Sequence, residues 1–322
     1  MSVAPEREAP RRRVAGGLIR AAAWVVPTWF VALAVVRAVA VLGGNELIDG
    51  RLYRAAALAW LQGGNPWRTE IEGLYFAAPP PSLLPILPFT ILPEPLASVS
   101  LAVLGAVGSL WALRRLRKPL WWIAFPPLVD AIVNANPHVL LLPLLAGGGT
   151  WFAPVVKAYA LPILVLRGQI AAIVVGGIAL FVTAPVLPWG LFVDELPWVL
   201  DLFRAQVGGR FTASAIPVLL PFAVLSIAWV GRARAAWWVV PVFWPSTQYY
   251  YNSLAIPALT PVAAMVLCAQ FDGVAAVALI VSAVELEVAR RTLGWEFRPF
   301  QWRSVVEQPP VDLRRPLATF VP

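Results

Sequence analysis

The sequence predicts an all-α protein, a polytopic transmembrane helical bundle. Three observations carry that reading. Of the 322 residues, 60% are hydrophobic and only 13% charged, whereas a soluble domain is nearer half apolar and a quarter charged. Several apolar runs approach the roughly 20 residues that a membrane span requires. The arginines fall between these runs rather than along one face, as expected where basic residues mark the cytoplasmic side. That placement argues against nucleic acid as the reason for the net charge of +8. About nine to eleven hydrophobic segments are expected in all, in a multi-pass protein of a cell membrane, a prokaryotic plasma membrane by this reading.

Along the chain, residues 1–17 read as a cytoplasmic tail and 18–42 as a retained first span, because that run is too long for a signal-peptide core. Arg37 lies within this span and needs a polar partner or a wet pocket. Residues 43–93 read as a first extracytoplasmic loop carrying Glu46, Asp49, Glu70 and Glu72. Within it GRLYRAAALAWLQ can form a short amphipathic helix, with Arg51 and Arg54 on one side and Leu52, Ala56, Ala59 and Trp60 on another. The stretch PPPSLLPILPFTILPEP holds too many prolines for a straight span and suits short helices at the membrane interface.

A second span, about 95–113, runs into Arg114, Arg115, Arg117 and Lys118 at a cytoplasmic end. From 120 to 167 the apolar sequence is broken by FPP, NANPH and LAGGG and carries Asp130, Asn134, Asn136, His138 and Lys157. Broken helices at membrane depth require protein or water to satisfy the freed backbone, so a cavity is expected here. Spans follow near 169–188, 213–230, 235–247, 252–269 and 273–290, with a second outer loop at 189–212. The transmembrane domain thus covers 18–294, and 295–322 is a non-helical tail. One cysteine and one histidine leave no disulfide framework and no His-rich zinc site. No cofactor and no metal is expected.

Asp49 has two readings. An acid just before helix-forming residues is a common N-cap. On spacing alone the cap is the preferred reading, although Asp49, just past the first span, also lies near the outer membrane surface.

Four stretches bear on that choice. The run IDGRLYRAAALAWLQGGNPW at 48–67, followed by FAAPPP at 76–81, Pro88 and LP at 92–93, resembles the first outer loop of the GT-C glycosyltransferases of family 87, which typically reads D…Y…AA…L.G.NPY…F.YPP…P…LP. ANPHVLLLPLLA at 135–146 resembles that family's GQxNLLLLxLLA, and APVVKAYALPILVLRGQ at 153–169 its A-x-x-K-x-x-P-x-L run. WPSTQYYYNSLAIPAL at 244–259 resembles SPxSWxHYxxxLLPxL. Each motif is short and mostly apolar; together, in order, they extend over about two thirds of the chain.

The resemblance implies a GT-C bundle that transfers a sugar, mannose or similar, from a polyprenyl-phosphate donor to a lipid-linked or cell-envelope acceptor outside the membrane. Its partners would be membrane lipid, the lipid-linked sugar and a lipid or glycan acceptor, with no nucleic acid. It implies Asp49 as the catalytic base, since hydroxyl attack at C1 needs a proton acceptor. The leaving phosphate needs cations or donors, which makes Lys157, Arg210 and Arg54 candidates, with Asn136, His138, Tyr250 and Tyr251 from the later motifs. Each has a plainer reading. Lys157 could snorkel to the interface, His138 could be a hydrogen-bonded packing residue, Asp130 could pair with a neighbouring cation, and Arg210 could decorate a solvated turn. The chain departs from the family pattern where Tyr250 replaces the usual His, Gln248 the Trp and Ala78 the Tyr. Tyr250 brings no positive charge at neutral pH. Two alternatives stay open: a transporter or flippase for lipid-linked sugars, and a non-catalytic relative of the family.

Overall fold

The computed structural model describes residues 24–39, 47–206 and 210–293. Both tails (1–17 and 295–322), the ends of the first expected span and Glu46 lie outside the described residues. The described chain is all-α apart from one small hairpin. Helix α1 covers Trp24–Val39, and α2 covers Ile48–Leu61. The expected amphipathic helix of the first loop is therefore present as α2. A hairpin of β1 (Glu70–Ile71) and β2 (Leu74–Tyr75) follows, then a 3₁₀ stretch, Pro80–Ile86, and α3 (Leu87–Thr90).

Helix α4, Glu94–Arg115, is held at both ends: Glu94 lies in the first turn and Arg114 and Arg115 in the last, each sign suited to the helix dipole. Its 22 residues give about 33 Å, enough to cross a bilayer. Among the described residues it is the one helix long and apolar enough to do so. The way it packs reverses a soluble helix. Ala97, Ser98, Leu101, Gly105 and Ser109 face inward, while Val99, Val103, Val107 and Trp111 face out. Small inward residues let neighbours approach closely. A Cβ on Gly105 would lie 2.3 Å from Cγ1 of Val139, so this glycine lets α4 press against the turn that carries His138.

Short pieces then follow: α5 (Pro126–Val133), a 3₁₀ turn at Pro137–Leu140, α6 (Leu141–Ala146), α7 (Ala153–Val156) and α8 (Ala160–Leu166). Helix α9 (Ile170–Thr183) reads IAAIVVGGIALFVT yet buries only Gly176.

The later chain differs from the expected spans. The segment 189–212, expected as a loop, contains α10, Trp189–Gln206, which accommodates Pro197. The expected span 213–230 opens with two 3₁₀ turns at Ala213–Ala215 and Pro217–Leu219 before α11, Leu220–Val230. Helix α12 begins after Gly231, at φ 79°, and covers Arg232–Phe243. The expected span 252–269 is not one helix. Pro257 and Pro261 lack the N–H that an α-helix needs, and the chain makes a 3₁₀ helix, Tyr249–Ala258, a break, and α13, Pro261–Leu267. Glu285 of α14 (Val274–Leu293) closes that break by accepting from the Val262 and Ala263 amides at 3.1 and 3.0 Å and from the Thr260 hydroxyl. Apolar periodicity does not register such proline breaks, which is why these segments read as spans.

There are two cores. The larger joins α1, α5, α6, α8 and α11–α14, with Phe30, Trp122, Phe125 and Trp238 at its centre. The smaller lies between α2, the loop after it and α10, around Trp67, Phe76 and Leu83. Arg68 and Asn65 both reach Glu195 of α10 at 2.7 Å, and Tyr75 packs edge-on against Trp198. The two segments expected as outer loops therefore lie against each other.

Candidate functional site

The seam between the two cores is polar. Helix α2 enters it with Leu47 left-handed (φ 57°) as the preceding residue, and no side chain caps its start. Instead the Leu47 and Gly50 amides donate to the Val133 and Asn134 carbonyls, each at 3.1 Å, at the end of α5. Backbone carbonyls of α5 thus take up donors that the helix start leaves free. The approach is close: a Cβ on Gly50 would sit 2.7 Å from the Ala135 Cβ. The capping reading of Asp49 does not hold, because its side chain is turned to another task.

Past Ala135, left-handed at φ 50°, Asn136 begins the next turn. Its Oδ1 accepts from the His138 amide at 2.8 Å. Its Nδ2 donates to Asp49 Oδ2 and to the Tyr250 hydroxyl, both at 2.8 Å. Asn136 therefore ties α2 to the 3₁₀ helix of residues 249–258. Asp49 is partly exposed, and Asn136 is buried. Burial pushes the Asp49 carboxyl up to about 6; the Asn136 hydrogen bond and the charge of Lys157 oppose that rise, and Asp130 adds to it.

Lys157 does not snorkel. It is 7% exposed, lies over the Tyr53 ring at 4.6 Å and donates to the Tyr53 hydroxyl. Tyr53 stands one helical turn after Asp49, so the carboxylate and the lysine's partner share a face of α2. Lys157 acts on Asp49 through space, without an ion pair between them. His138 is enclosed. Its Nδ1 meets the Tyr159 hydroxyl at 2.5 Å, its Nε2 meets Ser253 Oγ at 2.9 Å, and its ring stacks on Tyr251 at 5.2 Å and 3°. Both nitrogens are satisfied by neutral hydroxyls, which is the arrangement of a hydrogen-bonded packing residue.

Two candidates lie elsewhere. Arg54 donates to the Leu92 carbonyl at 2.6 Å and to that of Thr90, anchoring the chain ahead of α4. Arg210 pairs with Asp272 at 2.5 Å, with both side chains more than half exposed. The plainer reading of Arg210, a solvated turn, describes its surroundings. Asp130 pairs with Arg37, with Arg37 Nε 2.5 Å from Asp130 Oδ1, which gives the charge in α1 the partner it requires. Beside this pair a cavity of about 330 Å³ opens between Leu33, Val36, Arg37, Pro126, Tyr249 and Cys268.

Tyr53, the Tyr of the D…Y pattern, belongs to the cluster with Tyr159 and Ser253, although none of the three was assigned a role from sequence. Tyr53 had a signal, its spacing of four from Asp49 on a helix. Tyr159 and Ser253 had none, because their role depends on which turn lies across from His138. Among the described residues no group of His, Cys, Asp and Glu is placed to hold a metal ion. The arrangement offers a partly exposed carboxylate poised to take a proton near neutral pH, with a buried cation and two tyrosine hydroxyls behind it. No protein-family model, curated protein or solved structure matches this chain.

Proposed function

We propose that this chain is a polytopic membrane glycosyltransferase of GT-C type that moves a sugar from a polyprenyl phosphate to a hydroxyl acceptor. The membrane reading is supported by apolar surface with nothing over it: Ile170, Ile178, Phe181 and Val182 of α9 are 58–81% exposed, as are Leu225 and Val107, at 66% and 58%. A helix that is apolar all round and still exposed suits lipid rather than water. The 14 residues of α9 give only about 21 Å, so crossings here would combine helices with the turns flanking them.

The observation that carries the enzymatic reading is the meeting of Asp49, Asn136 and Tyr250 in one network with Lys157 beside it. These residues come from the four stretches that resemble family 87. In the proposed reaction the Asp49 carboxylate takes the proton of the acceptor hydroxyl as its oxygen bonds to C1 of the sugar. The bond between C1 and the phosphate oxygen breaks, and polyprenyl phosphate leaves with that electron pair. Lys157 offsets the negative charge of the phosphate.

The test is Asp49→Asn, which keeps size and hydrogen bonding but removes basicity. Transfer of labelled sugar from polyprenyl phosphate should fall about 10²–10⁴-fold, the range for a general base, with thermal stability retained. A variant as active as the native protein would remove Asp49 from the mechanism. A native protein that moves lipid-linked sugar across vesicles without cleaving it would favour the transporter reading.

A further inference from the structure

The end of α4 holds a second buried lysine in different surroundings. Lys118 is 4% exposed, and its Nζ has no hydrogen-bond partner among the described residues. Its neighbour across a turn, Trp122, lies under the ammonium at 4.9 Å, and the Trp122 indole N–H is buried without an acceptor as well. Trp238 on α12 repeats the pattern with a second buried, unpartnered indole N–H. It stands four residues from Arg234 and so shares a face of α12 with it. Burial pushes Lys118 down to about 7, and the nearby charge of Arg234, itself partly buried, adds to that shift. Arg114, Arg115 and Arg117 are exposed around this end, and neither they nor Lys118 forms an ion pair among the described residues.

Every unsatisfied group here is a donor. A water could serve an indole N–H, but a buried ammonium beside a guanidinium calls for an anion. Trp121 and Trp122, stacked at 5.4 Å, with Leu120 exposed beside them, match the aromatic girdle of a membrane–water interface. Basic pockets between helices at that level suit phospholipid headgroups. We propose that the end of α4 and the start of α12 form a binding site for the phosphodiester of an anionic phospholipid, with Lys118 Nζ as its inner contact, Arg234 at its mouth and the exposed arginines of α4 drawing the headgroup in. The site rests on the membrane reading above but not on the glycosyl-transfer chemistry.

The experiment titrates the purified full chain, in neutral detergent, with phosphatidylglycerol, phosphatidylcholine or inorganic phosphate, following the thermal midpoint and the lipid retained in native mass spectra. Phosphatidylglycerol should raise the midpoint and be retained, and the other two should not. Lys118→Met should weaken phosphatidylglycerol binding on the order of thirtyfold, as for loss of one partner of a buried charged pair, and should raise the midpoint in detergent alone because an unpartnered buried cation is gone. Arg117→Gln should weaken it by about fivefold at most, as for one basic residue at the membrane surface. Equal binding by Lys118→Met overturns the site. An equal response to inorganic phosphate overturns the lipid assignment, and a loss in Arg117→Gln as large as in Lys118→Met reduces the effect to surface charge. If Lys118→Met does not fold, Lys118→Gln carries the same expectations. Asp49→Asn should bind phosphatidylglycerol as the native chain does, so failure of the catalytic reading and failure of this site are distinguishable.

Discussion

Lys157 and Lys118 are both buried, and their neighbourhoods differ in kind. Around Lys157 donors and acceptors are matched: a tyrosine hydroxyl accepts from its ammonium, a carboxylate stands nearby, and an asparagine bridges that carboxylate to a second tyrosine. Around Lys118 there are an indole ring, a guanidinium and unanswered N–H groups. A buried cation is tolerated when its charge is answered. The first neighbourhood is therefore organised before any substrate arrives, and in the second no anion answers Lys118 among the described residues. Preorganised charge is what catalysis uses, whereas a missing counter-charge points to binding.

The largest effect on this comparison should come from Lys157→Met. Removing one partner of a buried charged contact costs roughly 2–5 kcal/mol, and donor affinity, measured with purified protein and polyprenyl phosphate, should fall accordingly. Normal donor binding by this variant would break the contrast, and Arg37, which lines the neighbouring cavity, would become the better phosphate contact.

Gly50→Ala should come next. The added methyl would meet the Ala135 Cβ at 2.7 Å and the Ser98 Cβ at 3.3 Å. Overpacking of this kind costs about 1–3 kcal/mol, partly offset by the better helix propensity of Ala, at most about 1 kcal/mol. The thermal midpoint should drop. Activity should drop further than stability alone explains, because the α2–α5 contact sets the distance between Asp49 and Asn136. A fully active variant would show that this distance is not critical.

The pH dependence tests the neighbourhood of Lys157 and Asp49 directly. With its carboxyl raised from 3.8 to about 6 in the free protein, Asp49 is a competent base only above that pH, so kcat/KM should rise through an inflection near 6. The stability effect has the opposite sign. Between pH 3.8 and about 6 the folded protein holds a proton that the unfolded chain has released, so stability should fall as pH rises through that window. Asp49→Asn should flatten this slope, and an unchanged slope would mean that another group is responsible.

How much of this was legible in the sequence follows from the range of each interaction. Helix α2 and the two arginines on its surface were legible, because period and turn residues act locally. So was the need of Arg37 for a partner, since a charge in an apolar run must be answered. The small hairpin after α2 and the breaks near Pro257 and Pro261 were not, because apolar composition does not distinguish a span from 3₁₀ turns packed in a core. The candidate site was legible as residue types, Asp49, Asn136 and Lys157. Its wiring was not: that His138 is closed off by Tyr159 and Ser253, and that Arg54 and Arg210 turn elsewhere, depends on which turns meet across the seam. Lys118 read as one more cytoplasmic charge, since burial of an ammonium under Trp122 leaves no mark on composition.

The smallest expected effect is also the most discriminating. Tyr250 stands where the resemblance places a histidine, and its hydroxyl accepts from Asn136 at 2.8 Å. Tyr250→Phe removes that acceptor and should cost roughly 0.5–1.5 kcal/mol, the net worth of one neutral hydrogen bond. The parameter that changes matters more than the size. If Tyr250 only holds Asn136, the variant loosens the bond from Asn136 to Asp49, which is one of the two interactions keeping the carboxyl from rising further. The pH inflection should then move upward while donor affinity stays near native. If Tyr250 instead contacts the phosphate, donor affinity should fall and the inflection should stay in place. Measuring kcat/KM against pH alongside donor binding in this single variant therefore assigns Tyr250 either to the carboxylate or to the leaving group.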